Sequence, residues 1–308
     1  MHRHIHTEIS KMKNIIIDLM RRLSFPEESI TDISNAFDAV YRNTDLANRF
    51  EGLIKIYDES ERCDYMKLYE DMNSISKESG IHEYTGIMLL LLGMCDALKR
   101  RYTERGFSED MFYSTVADLK YKNEECRLLY GVSGTFVYPW FPGFFMLERF
   151  ALGRLQFELS KLGCDCECNG IKLTKESDVI SMHIPRTGVR LDRKDVLDSY
   201  RQAKEFYKDH FNGGPLVFVC HSWLLYPWNE SILSPTSNLY AFYKDFQIVA
   251  QGDNPNHEDA WRLFDCILPD DPSKLPRDSS LRRAYADRIA NGEPTGWGYG
   301  VFIMNQNE

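Results

Sequence analysis

The chain has 308 residues, of which 43% are hydrophobic, and a formal net charge of −9. That length suits about two domains, each with a core of its own, and the acidic balance argues against nucleic acid, whose phosphates require a basic face. The longest uninterrupted apolar run, residues 87–95, is far short of the roughly 20 residues that cross a membrane. Residues 1–20 also lack the charged-then-apolar layout of a secretion signal, so a cytoplasmic protein without a membrane partner is expected.

His2, His4 and His6 alternate at the start, a pattern that suits a solvated chain end better than a metal site. Ile9, Met12, Ile16, Leu19 and Leu23 then recur at helical spacing, and Phe25-Pro26-Glu27-Glu28 stops one helix and starts another. Similar periodicity predicts helices at about 30–41, 45–57, 65–76, 81–102 and 108–130, with no strand-like alternation between them. Residues 1–131 therefore read as an all-helical N-terminal domain. Gly131-Val132-Ser133-Gly134 is the clearest punctuation in the chain, which places the junction there and makes residues 132–308 the second domain.

The aromatic stretch at 137–145 follows, with Tyr138, Trp140, Phe141, Phe144 and Phe145. Aromatic residues dominate cores and interfaces, so a buried seam between the domains is preferred to an exposed acyl pocket. A helix holding Met146, Arg149 and Phe150 is expected to lead into a strand at 154–159. Of eight cysteines, Cys164, Cys166 and Cys168 alternate on a predicted hairpin strand. No second ligand pair stands at zinc-ribbon spacing, which favours free thiols, and no metal is expected.

From there short strands alternate with helices, an α/β pattern unlike the first domain. Residues 179–185 and 216–223 are apolar strands that carry His183 and His221 near their ends. Between them lie a loop with Arg186, Thr187, Gly188, Val189 and Arg190, and an amphipathic helix at about 194–210 that Asp192 is placed to cap. A crossover of that length joins parallel strands. Ligands of such units bind where strands end and helices begin, which is where both histidines and the loop fall. A helix with Leu239, Tyr240, Phe242 and Tyr243, a strand at 246–250, helices at 260–266 and 281–291, and a strand at 299–304 complete the pattern.

Several of these runs carry a resemblance. GRLQFEL (153–159), HIPRTG (183–188), VCHSWLLYP (219–227), SNLYAFYKDF (237–246) and LRRAYADRIANG (281–292) resemble a family of bacterial acyltransferase-domain proteins. In that family a helical N-terminal domain precedes a C-terminal half similar to the GNAT (N-acetyltransferase) fold. The matching motifs span roughly residues 138–300. The resemblance implies an α+β domain with a mixed sheet, acetyl-CoA or another acyl-CoA as co-substrate, and a small-molecule or peptide amine as acceptor. HIPRTG takes the place of the usual phosphate-cradling signature, Gln/Arg-x-x-Gly-x-Gly/Ala, in divergent form.

Acyl transfer to an amine needs a base, donors for the thioester oxygen and an acid for the departing thiolate. Histidine suits the base because it titrates near neutral pH, and either His183 or His221 can face a gap between its strand and the other. Tyr240 falls where GNAT-like enzymes often carry a tyrosine acid, and Glu158, at the end of its strand, is a candidate to hold the substrate amine. Backbone N–H groups around Thr187, Gly188 and Val189, with Arg186 and Arg190, are the candidate pyrophosphate cradle. Cys220-His221-Ser222 is a poor nucleophile set, because neighbours on a strand point to opposite faces and no Gly-x-Ser-x-Gly elbow occurs. The competing class is a GNAT-like module without catalysis that binds a ligand or a partner.

Overall fold

The computed structural model of the chain describes residues 2–305, with side chains described from Ser10 onward. The side chains of His2, His4 and His6 lie outside the described residues. Seven helices come first: α1 (His2–Arg22), α2 (Glu27–Tyr41), α3 (Thr44–Glu59), α4 (Tyr65–Ser79), α5 (Glu83–Glu104), α6 (Glu109–Val116) and α7 (Asp118–Tyr130). Local chemistry accounts for their ends. Asn43, Asp64 and Ser108 accept N–H bonds as N-caps, and Gly80 and Gly131 close α4 and α7 in the left-handed region. The apolar run at 87–95 belongs to α5, which is buried without interruption over residues 85–92 and packs against α1, α2, α3, α4 and α6. A helix apolar on all sides must sit inside its bundle. The single helix predicted at 108–130 is two, broken at Ala117. Its buried positions Phe112, Thr115, Leu119, Asn123 and Cys126 keep helical spacing across the break, which is why periodicity alone does not reveal it.

The chain divides into two compact units at Glu148 and Arg149, later than the glycine-rich junction at 131–134. The physical reason is close packing. The Thr85 hydroxyl donates to Ser133 O at 2.7 Å, and Thr135 N donates to Tyr84 O at 3.1 Å. A Cβ on Gly134 would lie 2.4 Å from the Tyr84 carbonyl carbon, so this glycine permits an approach rather than a linker. The aromatic stretch, with α8 (Pro142–Phe145), packs within the same helical unit. Tyr57 donates to Phe145 O at 3.0 Å, and Tyr69 meets Tyr138 edge to face with ring centroids 5.0 Å apart.

The second unit is built on a six-stranded sheet in the order β1-β2-β5-β6-β8-β7. Its strands are β1 (Arg149–Leu152), β2 (Leu155–Lys161), β5 (Asp178–His183), β6 (Leu216–Ser222), β7 (Gln247–Asn254) and β8 (Thr295–Met304), and β3 (Cys166–Cys168) with β4 (Ile171–Leu173) forms a separate hairpin. Residues 149–152 are thus strand, not the helix predicted around Met146 to Phe150. Among the described residues only β5 and β6 run parallel, joined by α9 (Arg193–Tyr207), as the crossover argument requires. The helices α10 (Asn229–Ile232), α11 (Asn238–Tyr243), α12 (Trp261–Phe264) and α13 (Ser280–Ala290) lie between β6 and β8 in the chain.

One sheet face carries Phe157, Phe218 and Phe302, with Phe218 stacked on Phe302 at 4.8 Å and Tyr200 of α9 against both. The opposite face packs Val179, Val217, Val219 and Val301 against Leu162, Cys168 and Leu173 beside the β3-β4 hairpin. Among the described residues no helix is long and apolar enough to cross a membrane.

Candidate functional site

The central parallel pair is short. β5 and β6 pair at Ile180 with Phe218 and at Ser181 with Val219, and there the pairing stops. Both strands continue nonetheless: β5 stays paired with β2 as far as His183, and β6 stays paired with β8 as far as Ser222. They therefore part. His183 and His221 each stand two residues past the last pair, at the same register position. Alternation along a strand places both on the valine face. The gap between the strands is flanked by two imidazoles.

Behind His183 lies a polar chain on the same face. Its Nε2 is 2.7 Å from Glu158 Oε1, and both Glu158 oxygens lie 2.9 Å from Arg149 Nη2. Strand register sets this line, pairing Arg149 with Glu158 across β1 and β2 and Glu158 with Ser181 across β2 and β5. Burial raises the pKa of Glu158, but the bonds from His183 and Arg149 outweigh it and hold the carboxyl below the usual carboxylate range. An ionised carboxylate only accepts hydrogen bonds, so His183 Nε2 carries the proton they share.

Trp297 covers one side of the otherwise exposed His221 ring, with centroids 4.6 Å apart. That partial desolvation lowers the His221 pKa against the pull of Asp259, so the imidazole is neutral at pH 7. Cys220 points to the other face, buried, with its thiol pushed up to about 12. Ser222 accepts from Leu224 N at 3.1 Å and so ends the strand. Neither is an activated nucleophile.

The loop after β5 is arranged differently from the two-arginine cradle. Gly188 takes the left-handed conformation at φ 74°, and Gly188, Val189 and Arg190 are exposed. Thr187 folds inward, its hydroxyl accepting from Val189 N at 3.2 Å. Arg186 turns aside to Asp265, at 2.7 Å, and the second Asp265 oxygen binds Arg282 at 2.6 Å. Asp192 stands at the N-cap of α9 without capping it, because its carboxylate accepts from Asn238 instead.

Glu158 is not at a strand end, and it is engaged with His183 and Arg149 rather than presented to solvent. Tyr240 lies half-buried on α11, and no hydrogen bond joins it to either histidine among the described residues. Cys164, Cys166 and Cys168 pack against the valine core, and no group of three or more His, Cys, Asp or Glu is placed to hold a metal ion among the described residues. Arg149 and Asp265 were outside the predicted site. Arg149 had a usable signal: Leu152-Gly153-Arg154-Leu155 is a two-residue hairpin turn between apolar runs, which makes 149–152 a strand. Asp265 had none.

Residues 15–147 match the family model described as the N-acyltransferase N-terminal domain, and residues 150–302 match the GNAT-like C-terminal domain. Among solved structures the chain is similar to an acyltransferase in complex with decanoyl-CoA, at 20% identity over 92% of this chain and 86% of that one, with a TM-score of 0.72. It is similar also to an acyltransferase in complex with decanoyl-CoA and teicoplanin, at 20% identity, 93% and 86% coverage and a TM-score of 0.69. A third, an acyltransferase mutant in complex with octanoyl-CoA, gives 20% identity, 93% and 87% coverage and a TM-score of 0.71. Likeness at that identity establishes the fold. No curated protein matches the chain.

Proposed function

This chain belongs to the proteins that join an N-acyltransferase N-terminal domain to a GNAT-like C-terminal domain, and from that premise we propose an acyl-CoA-dependent N-acyltransferase acting on a small-molecule or peptide amine. The observation that carries the reading is the parting of β5 and β6 beyond Ser181 and Val219, with the two histidines beside the gap. Strand edges that no longer pair offer backbone N–H and C=O groups, and the two amides of a pantetheine arm are suited to take them up. The loop at 187–190, exposed at Gly188, Val189 and Arg190, would take that arm's pyrophosphate, with Arg190, which forms no ion pair among the described residues, as its cation.

In the proposed reaction the His183 imidazole takes a proton from the ammonium of the acceptor, and Glu158 stabilises the imidazolium that results. The freed amine attacks the thioester carbonyl, a C–N bond forms, the C–S bond breaks, and CoA leaves as a thiolate that is protonated in turn. Tyr240 is the candidate to supply that proton, and His221, a neutral imidazole, is the alternative base. Cytoplasmic acyl-CoA and free cysteines suit the same compartment.

A second reading is favoured by a specific feature. Arg186 is neutralised by Asp265 and Arg193 by Asp245, which suits a module that binds a ligand without turning over acyl-CoA. Thermal scans with CoA, acetyl-CoA, octanoyl-CoA and decanoyl-CoA separate the two. A ligand at 100 times its Kd stabilises the fold by about 2.7 kcal/mol, a rise of several degrees in Tm. A shift with any of them, followed by CoA release in the presence of an amine panel that includes teicoplanin, supports the enzyme. No shift with any acyl-CoA would sink it.

A further inference from the structure

The loop that follows β5 has a single glycine, Gly188, and its two ends are held by a single side chain. Arg154 Nη1 donates to Pro185 O at 3.0 Å and Nη2 donates to Val189 O at 3.2 Å, so one planar guanidinium bridges both ends of the turn. The arginine is itself anchored. Its backbone N–H donates to Ser199 Oγ at 2.7 Å, and that hydroxyl, wholly buried on α9, donates in turn to Asp195 O at 2.8 Å. Gly153 makes the anchor possible, since a Cβ there would lie 2.7 Å from Ser199 Oγ. The β1-β2 turn, the first turns of α9 and the loop at 185–189 are thus locked together through residue 154. Two carbonyls are drawn inward, and Gly188, Val189 and Arg190 are left on the outer, exposed side.

We propose that Arg154 is a positioning residue for the phosphate contact: by bridging Pro185 O and Val189 O it holds the 185–190 backbone in the shape of that contact, without touching the ligand itself. A lysine cannot substitute, because a point-charge ammonium reaches one carbonyl but does not fork to two. The Thr187 bonds, by contrast, are internal to the turn. The assignment rests on the acyl-CoA reading and refines it, since it concerns only the part of the ligand that carries phosphate.

The test uses the full chain and two probes, CoA and pantetheine, which has the thiol arm without the pyrophosphate. Calorimetry should show R154Q binding CoA about tenfold or more weakly than wild type, the loss expected when charge-assisted hydrogen bonds that order the contact are removed. Pantetheine affinity should stay within about twofold, and R154K should recover less than half of the lost CoA affinity in logarithmic terms. A merely structural role would weaken both probes together, and that result overturns the assignment. So does equal CoA binding by wild type and R154Q. If R154Q does not fold, the same comparison of probes on R154K decides. A wild-type chain that ignores CoA overturns the acyl-CoA reading and the assignment with it, whereas CoA binding that survives R154Q overturns the assignment alone.

Discussion

The helical unit and the α/β unit both bury charged and polar side chains, but to different ends. In the helical unit the networks close on themselves. Lys122 meets both oxygens of Glu125 at 2.9 and 3.0 Å, Asn123 donates to Ser29 at 2.9 Å, and Ser133 donates to Asp32 at 2.6 Å. Each of these bonds ends on another side chain of the same unit, so the contacts serve its packing. In the α/β unit the line from Arg149 through Glu158 ends on an imidazole at the edge of a strand gap. A buried ion pair is by itself weak evidence of chemistry. One that terminates on a titratable ring beside an opening is a different object, and the contrast separates structural electrostatics from a candidate site.

That contrast can be broken by mutation. The largest effect is expected at the open end: His183→Ala should lower turnover about 10²-fold to 10⁴-fold with little change in CoA affinity, as loss of a general base does. His221→Ala is its pair, and full activity in both variants would remove the two-histidine gap from consideration. In the closed network the expected cost is to stability. Lys122→Met leaves Glu125 buried without its partner, and denaturant unfolding should show about 3–5 kcal/mol of destabilisation while CoA still binds the folded chain at wild-type affinity. Weakened CoA binding by folded Lys122→Met would mean that the two units do not divide the work as described.

The smallest effect is a pH dependence at Glu158. Its pKa is lower folded than unfolded, so it contributes stability above the unfolded value of about 4.3 and loses that contribution as pH falls through its lower folded value. The stability gap between wild type and Glu158→Gln should therefore be full near neutral pH and shrink on acidification below about pH 4. A gap that stays constant down to the acid limit would show that the carboxylate's charge is not what matters there.

Much of this was legible from residues a few positions apart. The stripes of α2, α3 and α5, the caps Asn43, Asp64 and Ser108, and the strand-loop-helix-strand unit around α9 all follow from periodicity and capping. Those signals arise within a turn or two of chain, where propensity and side-chain-to-backbone bonds act. The shared face of His183 and His221 also follows, once β5 and β6 are adjacent, from the two-residue period of a strand.

What only tertiary structure decided were contacts between distant residues. The Gly153-Arg154 turn signals a strand at 149–152, but four residues are too few to show a period, and only the pairing with β2 sets Arg149 against Glu158. Gly134 looked like a linker and is instead a point where the chain presses on the start of α5. Arg186 looked like a phosphate ligand and is held by Asp265, 79 residues further along. Nor could loop composition show that residues 185 and 189 answer to an arginine on another turn. Helices and caps are chosen by energies between near neighbours, which the order of residues states directly. Strand register, long-range ion pairs and the parting of two strands are chosen by how whole elements pack, and no local pattern carries that information.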